Sequence, residues 1–236
     1  MSNLCLSFIK FITIFNVFVI FPFVAKATEV TKVQFGNTSI NIPSPNGYCL
    51  LGNTTNEKRI FKYQQEVQFN IGNKILQYWV DCEQQKQIIN NELVGDLTKW
   101  FIILGTLSGK KKLETTFPNY SPKDFKKLYL KDWDFNKITE NVNKLTKKSF
   151  QNYLYDNKLS QPVNLGVLSV TDSVHMGILM KVGETNPRAV LGLLSFALIK
   201  GVPTGFHFYS QYENKTTIKR LLSEAEYFSA KLANIN

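Results

Sequence analysis

Residues 164–210 read NLGVLSVTDSVHMGILMKVGETNPRAVLGLLSFALIKGVPTGFHFYS, and this stretch decides the fold. β-Branched and aromatic residues gather in the runs 164–170, 174–182, 189–199 and 204–210. Thr171-Asp172-Ser173, Gly183–Pro187 and Lys200-Gly201 punctuate them, so each run reads as a strand ending in a turn. Connections this short force antiparallel pairing, because a parallel return needs a crossover of about a dozen residues.

Downstream, Ile218, Leu221, Leu222, Ala225, Phe228, Leu232 and Ile235 keep helical spacing, which predicts a closing helix from about Asn214. Upstream, Val33 and Phe35, a Gly36-Asn37 turn, then Ile40 and Ile42 alternate as a hairpin does. Pro43-Ser-Pro-Asn-Gly47 forms a rigid turn before Tyr48-Cys-Leu-Leu51. Thr54 or Thr55 caps a helix to about Ile71 whose apolar face reads Ile60, Tyr63, Val67, Ile71. Strands follow at 75–82 and 100–104, separated by a polar connection rich in Gln and Asn. Residues 108–160 are Lys-rich and helical in pattern, with one helix from Ser121-Pro122 and another over 135–155. The expectation is a single α+β domain over 28–236: a mainly antiparallel sheet covered by helices, a Lys-rich helical insertion at 108–160, and a C-terminal helix.

IPSPNGYC (42–49), a helix, then YWVDC (78–82) resembles a group of exported bacterial proteins without assigned activity. The later meander with its closing helix is similar in order to the PsbP-like α/β/α sandwich. The first resemblance implies export. The second implies a fold and no particular function.

Residues 1–27 carry the pattern of a secretory signal. Lys10 precedes the apolar run FITIFNVFVIFPFV, and Ala25-Lys-Ala27 supplies the A-x-A cleavage pattern. Lys10, Asn16 and Pro22 interrupt a longer span, so cleavage near Ala27 is expected over a retained anchor, with a periplasmic or secreted product. Four N-x-S/T sequons, at Asn37, Asn53, Asn119 and Asn214, are about what so Asn-rich a chain gives by chance. Across 236 residues, 44% are hydrophobic and 19% charged, values that exclude disorder and a multi-span membrane protein.

Once the signal leaves with Cys5, Cys49 and Cys82 are the remaining cysteines, and an oxidising space predicts a disulfide between them. C-x-x-C, the P-loop, G-x-G-x-x-G and H-E-x-x-H are all absent from the sequence, so no cofactor or metal is expected. Asp172, Ser173 and His175 are the residue types of acid–base or nucleophilic chemistry. On an extended strand, however, Ser173 and His175 share one face and Asp172 takes the other. A working trio needs a bend there. The plainer reading is a turn followed by a strand histidine. His207 faces away from Phe206 and Phe208 and reads as a packed strand residue.

The net charge is +10, and nearly all of its cations are lysines; only Arg59, Arg188 and Arg220 are arginine. Nucleic acid is a poor fit, because base and phosphate recognition favours the guanidinium fork. Eleven lysines and five acids fall within 108–148. There, Phe125, Leu128, Tyr129 and Trp133 line one helical face, with Lys123, Lys126, Lys127 and Lys131 beside or opposite it. That pattern suits an anionic membrane surface or an acidic envelope partner, or else a stripe packed on the sheet with solvated lysines. The function these features support is a non-catalytic binding or scaffolding domain of the cell envelope. The alternatives are an envelope hydrolase built on Asp172, Ser173 and His175, and a small-molecule carrier.

Overall fold

In order along the chain, the computed structural model shows a hairpin of β1 (Val30–Phe35) and β2 (Thr38–Pro43), β3 (Tyr48–Leu50), α1 (Thr55–Asn70), β4 (Asn73–Asp81) and α2 (Cys82–Ile89). Then come β5 (Lys99–Thr106), α3 (Pro122–Leu130), β6 (Val163–Val170), β7 (Val174–Val182), β8 (Arg188–Ile199), β9 (Val202–Gln211) and α4 (Lys215–Asn234). The structure describes residues 30–70, 72–93, 96–106, 120–131, 163–182 and 187–236. The signal region, the helix expected over 135–155 and Trp133 lie outside the described residues.

The four runs of the opening stretch are β6 to β9, and they pair in sequence as an antiparallel meander. Lys200 and Gly201, at φ 50° and 75°, make the two-residue turn between Ile199 and Val202. Left-handed conformations at both central positions match the twist of the strands they join. β9 also pairs with β5, completing a seven-stranded sheet in the order β3-β4-β5-β9-β8-β7-β6. With helices on it and α4 closing the chain, the fold is the expected α+β.

One face of the sheet carries Trp79, Phe101, Ile103, Leu191, Leu193, Phe206 and Phe208, covered by α4 and the β1–β2 hairpin. Phe101 is the hub, with ring centroids 4.3 Å from Phe208 and 4.8 Å from Phe228 of α4. Each such ring contributes about 1.5–3 kcal/mol through burial. The opposite face holds Tyr78, Val80, Trp100, Ile102 and Tyr209, with Ile60 and Phe61 of α1 and Ile88 of α2 packed on it. Gly192 allows this packing, since a Cβ there would sit 2.7 Å from Ile178 and 2.8 Å from Tyr209.

α1 forms where expected but turns a different face inward. Tyr63 and Val67 are exposed, while Glu57 and Gln68 are buried beside Ile60 and Phe61. Hydrogen bonding sets this orientation. Thr54 and Glu57 form a capping box, with the Glu57 amide donating to Thr54 Oγ1 and the Thr54 amide donating to the Glu57 carboxylate. Gln65 accepts from the Ile75 amide and Gln68 accepts from Asn73, tying the same face to β4. The Gln-rich connection after Cys82 is partly helical: Asp81 caps α2 by accepting from the Glu83 and Gln84 amides.

Candidate functional site

Three neighbouring segments leave a gap above the hub of the core. The Pro-Ser-Pro-Asn-Gly turn supplies Ser44, Pro45 and Asn46 as one wall. α4 supplies Ser223, Glu224, Tyr227, Phe228 and Lys231 as the other, a stripe flanking its buried face. Tyr48 of β3 and Phe208 of β9 form the floor, edge to face at 5.8 Å. The result is an open cleft of about 290 Å³, lined mainly by aromatic carbon.

Two of its polar groups, Tyr48 and Glu224, engage each other. Tyr48 Oη donates to Glu224 at 3.2 Å, and Arg220 pairs with the same carboxylate at 2.9 Å. Lys99 Nζ lies 3.9 Å from Glu224 and 4.3 Å above the Tyr48 ring. Burial, reinforced by the Glu224 charge, pushes the Tyr48 hydroxyl well above its ordinary pKa, so it stays a neutral donor. Tyr227 is 60% exposed at the rim, with Lys231 Nζ 5.8 Å from its ring. This arrangement can hold an apolar body and orient a polar head; it assembles no nucleophile and base.

The trio of the hydrolase alternative does not come together. Asp172 is exposed at the β6–β7 turn, and Ser173 Oγ pairs with Ser229 of α4. His175 instead meets Ser195 Oγ through Nδ1 at 2.8 Å and Thr171 Oγ1 through Nε2 at 3.2 Å. Strand register explains this, because His175 lies directly opposite Ser195 in the β7–β8 ladder. His175 and Ser195 are both fully buried, so this hydroxyl–imidazole pair faces no substrate. Burial lowers the His175 pKa to about 4, against the opposing pull of Glu226 and Asp172. His207 packs on the other face beside Phe196 and Tyr209, and burial lowers it to about 3.

Cys49 and Cys82 form the expected disulfide, Cα atoms 4.9 Å apart, joining β3 to the start of α2. In α3, Phe125 is buried and Leu130 packs with Val167, Val174 and Met176, so the aromatic stripe is partly spent on the sheet. Leu128 of the same stripe is exposed, and the side chain of Tyr129 lies outside the described residues. Lys123, Lys127 and Lys131 remain exposed, while Lys126 donates to the Thr171 carbonyl at 2.6 Å and Lys127 pairs with Asp124 at 3.5 Å. Among the described residues, no helix is long and apolar enough to cross a membrane. Nor do three or more His, Cys, Asp or Glu residues cluster there to hold a metal.

Sequence reasoning missed the cleft. Tyr227 was its one available signal, a large aromatic lying off the apolar stripe of α4. In comparisons with known proteins, no family model and no curated protein matches the chain.

Proposed function

We propose that the protein is an exported, non-catalytic binding domain of the cell envelope whose ligand occupies the cleft between α4 and the 43–47 turn. The observation that carries this reading is a contrast in access. The groups suited to chemistry, His175 and Ser195, are fully buried, whereas the exposed Ser223 and Tyr227 border a cleft that opens to solvent above the buried Tyr48 and Phe208. Concave, mostly apolar sites with a few placed polar groups are where proteins bind small molecules. The small-molecule carrier is thus the form of binder this geometry favours. The signal pattern at 1–27 and the Cys49–Cys82 disulfide support export.

Binding is tested with an isotope-labelled sample and phenylbutanol as a neutral aromatic probe. Amide shifts should concentrate at Asn46, Tyr48, Ser223 and Tyr227. Ser223 is exposed on α4, so Ser223→Trp should fill the cleft, abolish those shifts and leave the melting temperature unchanged. Undiminished binding by Ser223→Trp would remove the cleft from consideration. Export is tested by the mass of the protein from its host, expected to begin at or near Thr28.

A further inference from the structure

Resting on that reading of the cleft, we infer that its ligand is a neutral saccharide, with one pyranose ring laid against Tyr227. What the cleft leaves accessible carries the inference. Phe208 and Phe228 are almost fully buried, so the aromatic surface open to a ligand is chiefly the Tyr227 ring, 60% exposed at the rim. Around it stand the half-buried Ser44 and the exposed Asn46 and Ser223. None of these three side chains hydrogen-bonds to another described residue, so their hydroxyl and amide groups are open to a ligand. Ser44 and Asn46 belong to one wall, Ser223 and Tyr227 to the other, so a single ring can bridge them.

The charges, by contrast, are spent within the protein. Glu224 is held by Arg220, Lys99 and Tyr48, and Lys231 is engaged as well, its ammonium 5.8 Å from the Tyr227 ring. An ionic ligand must compete with those partners and give up its own hydration; a neutral one meets neither cost. A pyranose matches what remains. Its axial C–H bonds gather on a flat face and carry partial positive charge, which suits the negative face of an aromatic ring. Its hydroxyls stand around the edge, each able to donate and to accept, as Ser44, Asn46 and Ser223 require. Glu224 adds a fixed acceptor, since a carboxylate has about four lone-pair sites and this side chain is 27% exposed. A volume of about 290 Å³ stands at the small end of ligand pockets, which suits a single sugar ring over a lipid or an extended chain.

Methyl β-D-glucopyranoside, whose hydroxyls are all equatorial, is the probe, titrated into the labelled protein beside phenylbutanol. Its shifts should fall on Asn46, Ser223 and Tyr227, and its affinity should hold between about 20 and about 200 mM salt, because no charge is there to be screened. Tyr227→Ala should weaken binding about tenfold, whereas Tyr227→Phe keeps the ring and should bind as the wild type does. Asn46→Ala and Ser223→Ala should each weaken it about threefold to tenfold. All three positions are exposed, so an unchanged melting temperature shows that each variant is folded. Glucoside shifts that survive Tyr227→Ala undiminished would overturn the proposal. Silence of the glucoside up to high millimolar concentration, while phenylbutanol moves the same residues, would overturn the saccharide and leave the cleft standing. Silence of both probes would overturn both. An acetyl-triproline amide that binds more tightly than the glucoside would assign the cleft to a peptide and overturn the saccharide too.

Discussion

His175 lies between two hydroxyls, and a neutral imidazole suits that place, donating from one nitrogen and accepting at the other. Protonation would remove the acceptor and put a charge in the core. The ordinary histidine pKa, near 6.5, holds in the unfolded chain, while the folded values are about 4 for His175 and about 3 for His207. Between those limits the unfolded state binds the extra protons, so stability rises with pH across this window and is lost on acidification. From pH 7 to pH 5 each histidine should withdraw about 2 kcal/mol, read by urea unfolding at the two pH values. His175→Gln should give a visibly flatter dependence; an unchanged one would mean that His175 does not titrate in this way. Alternation alone made Ser173 and His175 legible as neighbours on one face. Ser195 was not legible as a partner, because only the register of β7 against β8 places a serine from 20 positions away opposite the imidazole.

At the scale of elements, three short devices can be separated by mutation. Burial raises the Glu57 pKa, yet hydrogen bonds from Gly52, Thr54 and Gln85 overcome this and hold it below the ordinary carboxylate range. Glu57→Ala should therefore cost about 2 kcal/mol, since it removes the cap of α1 and leaves those donors unpaired. The disulfide joins residues 33 apart, and the loop-closure model assigns it about 3.5–4 kcal/mol. Cys49→Ser with Cys82→Ser should lower the urea midpoint accordingly; a reductant that leaves the wild-type midpoint unchanged would show the bridge to be energetically idle. For α3, Phe125→Ala should destabilise by about 3 kcal/mol, as expected for a ring buried in the core. An exposed membrane anchor would instead leave the melt unaffected. Start signals such as Thr54, Asp81 and Ser121 stand in the sequence and fix where helices begin. Which face they turn inward is less legible. Gln65 and Gln68 win that choice for α1 over Tyr63 and Val67 by bonding to β4, and apolar spacing carries no trace of such bonds.

For the whole molecule, the meander and its closing helix were legible because each strand pairs with its neighbour in sequence across a turn that chemistry dictates. The junction of β5 with β9 was not. It brings Lys99 opposite Ser210 and welds the two halves of the sheet across the Lys-rich region, a pairing that no local pattern encodes. The cleft escaped for the same reason, since its walls come from the 43–47 turn, β9 and α4. Those distant parts also meet in a clasp. The Asn41 amide donates to Asn236 Oδ1 at 2.9 Å, and Asn236 Nδ2 donates back to the Asn41 carbonyl at 2.8 Å, across 195 positions of sequence. Phe35, Ile40 and Ile42 of the hairpin share their core with Phe228 and Leu232 of α4. Time therefore enters the structure. At about 5–20 residues per second, the ribosome needs roughly 10–40 s to make the helix after the hairpin has emerged. For that interval the hairpin's apolar residues lack the part of their native cover that Phe228 and Leu232 supply.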